Sequence, residues 1–204
     1  MLKLPWADFP FAPSGLELPT MNLTSYFAEY YRILANPEIP ELITLCKERV
    51  VTARDVGRKL LLAGNGASAS IASHLATDFS KQGGVRAMAF NDANLITALG
   101  NDCGYEHWIA RALDLYSDPD DVVILISSSG QSPNVVNAAQ HAKQLGLYVA
   151  AFTGFDRENP LSAAADLNLW VDSHSYNIVE CTHMIWLTAV VDLLIGTAEY
   201  NVTG

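Results

Sequence analysis

The rhythm of apolar and polar positions changes near residue 58. Before it, "MNLTSYFAEYYRILAN" (21–36) and "IPELITLCKERVVTARDVG" (39–57) carry apolar residues three and four apart, the spacing of one helix face. Asn22 or Thr24 is placed to cap the first helix, and Gly57 to end the second. After residue 58 come five short apolar runs: "KLLLAG" (59–64), "VRAMAF" (85–90), "DVVILIS" (121–127), "YVAAFTG" (148–154) and "LNLWVD" (167–172). Such runs read as strands buried on both faces. Residues 68–82, 92–101, 105–116 and 133–145 lie between them with helical spacing. A last helix, about 177–198, has Asp192 as its only charge after Glu180. A helix so apolar on most faces belongs in a core or in a subunit interface.

Strands alternating with helices predict an α/β fold, a parallel sheet with helices on both faces. Residues 1–204 read as a single domain. Within it, 1–21 is an irregular arm with four prolines, 22–57 holds two N-terminal helices, and 58–198 is the α/β core with the C-terminal helix.

Composition narrows the partners. Half of the residues are hydrophobic and 17% are charged, which is the balance of a folded globular chain. The formal net charge of −10 argues against a nucleic-acid partner, since that binding rests on clustered Lys and Arg. A small anionic ligand needs only a local positive potential and stays open. No apolar run approaches the roughly 20 residues of a membrane span, and the N-terminus has no continuous apolar stretch of the secretory kind. No membrane partner is expected. The three cysteines, Cys46, Cys103 and Cys181, are odd in number and fit no zinc spacing. They read as reduced thiols of a cytoplasmic protein.

Two turns carry the candidate chemistry. "AGNGASAS" (63–70) follows the first strand and opens a helix, and "SSSGQS" (127–132) does the same after the third strand. In an open parallel sheet, ligands bind beyond the carboxyl ends of the strands. A helix N-terminus there offers free N–H groups and the positive end of a dipole. Glycine lets the backbone approach the ligand, and serine adds hydroxyl donors without charge. The pair of turns predicts a phosphate-binding site. Neither turn is a Walker A loop, and "GNGASA" ends in Ala69 where a dinucleotide fingerprint has glycine, so no nucleotide cofactor is expected.

"LLLAGNGASASIASHLATD", "ALGNDCGYEHWIARAL" and "DVVILISSSGQSPNVVNAAQHAKQLGL" together resemble the SIS (sugar isomerase) domain family, most of all its phosphoheptose isomerase branch. The resemblance covers about residues 22–198. It implies a three-layer sandwich around a five-stranded parallel sheet of flavodoxin-like topology, a homotetramer, and a phosphosugar such as sedoheptulose 7-phosphate in a cleft shared between subunits. By position it implies that Ser127, Ser128, Ser129 and Ser132 cradle the phosphate, that Asn65, Gly66 and Ser68 form the first loop, and that Asp92 contacts sugar hydroxyls. The metal and acid/base set of the family departs from its pattern here. His74 is kept, but Asp78 stands for a glutamate, Glu180 for a glutamine and Thr188 for a second histidine. His183 is kept in the terminal helix.

Moving a proton between adjacent carbons through an enediol needs a carboxylate base and a proton shuttle at the oxygens, or a metal that polarises the carbonyl. His74 and Asp78 are four apart, and Glu180 and His183 three apart, so each pair shares a helix face. The expectation is one cluster of His74, Asp78, Glu180 and His183 that binds a divalent metal, zinc by its ligand types, with Asp78, Glu180 and His183 as the catalytic groups. Two functions follow. One is a phosphosugar isomerase making a precursor of surface polysaccharide. The other is a non-catalytic SIS module that holds a phosphosugar or a partner protein. Replacing Glu by Asp and Gln by Glu keeps a charged site, which favours the enzyme.

Overall fold

The computed structural model describes residues 21–198. Five strands form one all-parallel sheet: β1 (Leu60–Gly64), β2 (Ala87–Ala89), β3 (Val122–Ser127), β4 (Tyr148–Thr153) and β5 (Leu167–Trp170), in the order β2-β1-β3-β4-β5. Successive side chains of a strand point to opposite faces, and the apolar runs obey this. Leu60 and Leu62 of β1, with Val122, Ile124 and Ile126 of β3, join one core. Leu61 and Ala63, with Val123 and Leu125, join the other. Leu62 faces Ile124 across the β1–β3 register, and Ile124 faces Ala150 on β4.

Helices α1 (Leu23–Leu34), α2 (Ile39–Asp55), α3 (Ala67–Lys81) and α8 (Tyr176–Ile195) cover the first core. Helices α4 (Ala93–Cys103), α5 (Trp108–Tyr116), α6 (Pro133–Gln144) and α7 (Pro160–Ala164) cover the second. This is the expected three-layer α/β sandwich. α8 is long and apolar enough to cross a membrane by composition, with a mean hydropathy of 1.7 over its most apolar window. Its Val179, His183, Trp186, Leu187, Val190 and Val191 are buried in the first core instead. Asn22 caps α1 by accepting from the N–H groups of Thr24 and Ser25.

Three local differences from expectation have physical causes. β2 keeps three residues of the expected six and lies at the sheet edge, where pairing exists on one side alone. Its outward backbone at Ala87 is satisfied by Ser80, whose hydroxyl accepts from the Ala87 N–H at 3.0 Å and donates to the Ala87 carbonyl at 3.2 Å. β5 stops at Trp170, two residues early. α7 was not expected; Pro160 starts it and Asn159 caps it by accepting from the Ser162 N–H. The expected N-terminal arm lies outside the described residues, apart from Met21.

A buried carboxylate ties two strand starts together. Asp121, with no exposed surface, accepts from the Lys59 N–H at 2.9 Å and the Asp118 N–H at 2.8 Å, and meets the Lys59 ammonium at 2.6 Å. That pins the segment entering β1 to the segment entering β3.

Candidate active site

Both turns sit at the carboxyl end of the sheet, after the adjacent strands β1 and β3. Gly64 ends β1 where a Cβ would stand 2.8 Å from the Ile126 carbonyl and 2.7 Å from the Ser68 Cβ, so only glycine allows the two turns to close on each other. Gly66 follows at φ +55 as the N-cap of α3, with no side-chain cap. In the second turn the Gly130 N–H donates to the Ser127 carbonyl at 3.1 Å, and Gly130 takes φ +63. A Cβ on Gly130 would fall 2.0 Å from Asn159 Oδ1. The Gly130 carbonyl accepts from the Leu161 N–H at 3.0 Å, so α7 braces the turn from behind. Ser132 is the N-cap of α6 but makes no side-chain cap bond.

The result is a cavity of about 120 Å³ lined by Asn65, Ser68, Ile126, Ser127, Ser128, Ser129, Ser132, Tyr176 and Glu180. That is about four times the volume of a water molecule in the liquid. It accommodates a phosphate group and leaves most of a sugar outside. Among the described residues no basic side chain lines it. The donors are hydroxyls and the uncapped first turns of two helices, whose N–H groups and dipoles favour an anion. The Ser128 hydroxyl is buried and has no hydrogen-bond partner among the described residues. The Ser129 hydroxyl accepts from the Gln131 N–H at 3.2 Å and so also shapes the turn.

Asn65 is fixed by two residues that sequence reasoning missed. Asn134, buried in the first turn of α6, trades amide hydrogen bonds with it, and the Tyr105 hydroxyl donates to Asn65 Oδ1 at 3.1 Å. The dipeptide "PN" after Ser132 marks a helix start; nothing in it shows that the asparagine turns back to the other loop.

Glu180 lines the cavity from α8, and burial pushes its carboxyl above the usual glutamate range. Tyr176, one turn earlier on α8, lines it as well and is 60% exposed. Its ring meets Phe155 edge to face at 4.8 Å, and Phe155 stacks on His174 at 5.3 Å. Phe155 has φ +54, a left-handed backbone that costs a bulky residue about 1–3 kcal/mol. The preceding Gly154 donates its N–H to the Ser128 carbonyl at 2.9 Å and lies where a Cβ would be 2.6 Å from Val179.

The other expected residues stand elsewhere. His183 has no exposed surface. Its Nε2 faces the Thr153 carbonyl at 3.0 Å, its ring lies between Phe152 and Trp186, and burial lowers its pKa to about 4. It is neutral near pH 7 and does not line the cavity. His74 Nε2 and Asp78 Oδ2 pair at 3.1 Å on α3, also away from the cavity. Asp92 caps α4, accepting from the N–H groups of Asn94 and Leu95 at 3.0 Å each, and does not line the cavity. The expected four-residue cluster therefore does not form within one chain: α8 points Glu180 outward and His183 inward. Among the described residues no group of three His, Cys, Asp or Glu is placed to hold a metal. The described residues of one chain do not fit a divalent cation.

A family model for the SIS domain matches residues 25–154. The phosphoheptose isomerase of Burkholderia pseudomallei (strain 1710b) is 32% identical over 192 residues, which is 89% of this chain and 95% of that protein. The chain belongs to the phosphoheptose isomerase branch of the SIS domain family. The phosphoheptose isomerase of Trichlorobacter lovleyi is 35% identical over 153 residues, covering 72% of this chain and 78% of its own. The structure of phosphoheptose isomerase GmhA from Neisseria gonorrhoeae superposes with a TM-score of 0.78 at 29% identity, over 84% of this chain and 97% of that one. A phosphoheptose isomerase from Francisella tularensis gives the same TM-score at 27% identity. Against that phosphoheptose isomerase frame, Thr188 is spent locally: its hydroxyl donates to the Met184 carbonyl at 2.8 Å.

Proposed function

We propose that the chain isomerises a ketose 7-phosphate, sedoheptulose 7-phosphate, to the aldose 7-phosphate in the cytoplasm, as a step toward surface polysaccharide. The observation that carries this reading is Glu180, a carboxylate raised by burial, at the edge of the serine-lined cavity in a chain of this family. The hydroxyls of Ser127, Ser128, Ser129 and Ser132 and the ends of α3 and α6 hold the phosphate. Glu180 takes the proton from carbon 1, the electron pair forms the enediol double bond, and the carbonyl oxygen gains a proton. As the carbon-bound proton returns from Glu180 to carbon 2, the hydroxyl on carbon 1 gives up its proton, which replaces by way of water the one taken up at the carbonyl oxygen, and becomes the aldehyde. A raised pKa suits this work, because a base whose acid form is weaker takes the proton more readily. The seven-carbon chain must fold back on its phosphate to bring carbons 1 and 2 to Glu180.

Among the described residues the His74–Asp78 pair is a second carboxylate set and a start for a zinc site. A cleft shared between subunits, which the family likeness implies, gives it a substrate to serve. Support for a homotetramer lies on α1, where Leu23, Phe27, Tyr31 and Leu34 are exposed, and on α8, where Ile185 and Leu193 are exposed. Apolar side chains grouped in this way on a helix face are the kind that mark an interface. Sedimentation of the wild type and of a Phe27→Glu, Tyr31→Glu double variant measures it: assembly in the first and monomer in the second is expected.

The activity test is turnover of sedoheptulose 7-phosphate, with and without added zinc, by the wild type, Glu180→Gln and Asp78→Asn. Loss in Glu180→Gln supports Glu180 as the base. An active Glu180→Gln beside a dead Asp78→Asn moves the base to Asp78. No turnover by the wild type under either condition returns the chain to the class of binding modules.

A further inference from the structure

At about 120 Å³ the cavity has room for a phosphate but not for the sugar attached to it, so something outside the serines must meet the carbon chain. Resting on the isomerase reading above, we propose that Tyr176 is the wall against which the sugar packs, and that Phe155 is its positioning residue. Tyr176 and Glu180 are four apart on α8 and both line the cavity, so one helix face presents a base and then, one turn out, a ring. A polyol chain folded back toward Glu180 lays its C–H groups along that ring and keeps its hydroxyls toward water. This is the pairing for which a tyrosine, apolar in body and polar at its tip, is suited.

The ring does not stand alone. Phe155 meets it edge to face, and His174 stacks on the far side of Phe155. The Phe155 backbone is clamped at both ends: its N–H donates to the Ser173 carbonyl at 3.0 Å, and its carbonyl accepts from Trp170 Nε1 at 3.2 Å. A glycine would adopt φ +54 without strain. The chain instead keeps a phenylalanine there, and strain of this kind persists where the surroundings over-determine it. One residue before, Gly154 hydrogen-bonds the carbonyl of Ser128. Phe155, which braces the wall, is thus joined to the phosphate turn through Gly154 and one backbone hydrogen bond.

The test separates sugar from phosphate. Calorimetry on the full-length chain measures sedoheptulose 7-phosphate and, separately, inorganic phosphate. In Tyr176→Leu the sugar phosphate weakens by about tenfold, while inorganic phosphate binds as in the wild type. Tyr176→Phe, which keeps the ring, restores the sugar phosphate. Phe155→Leu shows the same selective loss, and in turnover its KM rises more than its kcat falls. Equal weakening of both ligands in Tyr176→Leu overturns the proposal, since the tyrosine would then only support the serine turn. So does a Tyr176→Leu that matches a binding-competent wild type, with the isomerase reading left standing. A wild type that does not bind the sugar phosphate at all overturns both.

Discussion

Asn65 and Asn134 exchange both of their side-chain amide hydrogen bonds, each at 2.9 Å. One stands at the mouth of β1, the other in the first turn of α6, 69 positions further along the chain. The pair locks the two ligand turns to each other. Replacing Asn134 by leucine leaves the Asn65 side-chain N–H group short of a partner in a half-buried place, with its oxygen held by Tyr105 alone. The expected cost is about 1–3 kcal/mol of stability and a loss of phosphosugar affinity, read by urea unfolding and calorimetry on the same preparation.

Ser128 and Ser129 should respond to truncation with different signs. The Ser128 hydroxyl is buried without a partner, a state that disfavours the ligand-free fold. Ser128→Ala should keep or raise the melting temperature and yet weaken phosphate binding by about tenfold, the value of one hydrogen bond to a charged group. Ser129 also accepts from the Gln131 N–H, so Ser129→Ala should lower both. Thermal melts beside titrations decide the matter.

Activity should fall on the acid side at a pH above the range of an ordinary glutamate. Burial raises the Glu180 carboxyl, and only its ionised form can take a proton. The acidic limb of kcat against pH reports that group in the substrate complex. Glu180→Gln should abolish it together with the activity. A limb at the ordinary glutamate position would remove Glu180 from the role.

His183 gives the fold its own pH dependence, of a different origin. Its pKa is about 4 folded and near 6.5 unfolded. Between those values the unfolded chain binds the extra proton, so stability rises with pH there. The contribution is fully present above pH 6.5 and is lost as pH falls toward 4, amounting to about 3 kcal/mol at 1.36 kcal/mol per unit. The unfolding free energy of His183→Gln should fall less steeply over the same window.

The five strands, the layers and both turns were legible because they rest on strong local signals: apolar runs of strand length, then glycine and serine before a helix; the strand order came only with the family resemblance. α7 was not, since five residues are too few to show a period. The aim of α8 was not legible for a physical reason. Glu180 and His183 share a face by spacing, but a helix apolar on nearly every side carries no stripe to say which residues turn inward. Only packing against Phe152 and Trp186 decides that His183 is core. Asp92 was ambiguous in the same way, because an acidic residue at a helix start suits a cap as well as a sugar. Tyr176 and Phe155 carried no signal at all, since their meeting depends on a left-handed backbone at a phenylalanine.

Among the described residues no lysine or arginine lines the serine cradle, and this bears on how a substrate arrives. The chain as a whole carries a formal charge of −10, so an incoming sugar phosphate is repelled over most of its approach. Attraction begins only within the last few ångströms, where the helix ends and hydroxyls act. Dissolved salt shortens the reach of the repulsion and hardly touches contacts made inside the cavity. Encounter should therefore quicken as ionic strength rises, while the lifetime of the complex, once formed, stays nearly constant.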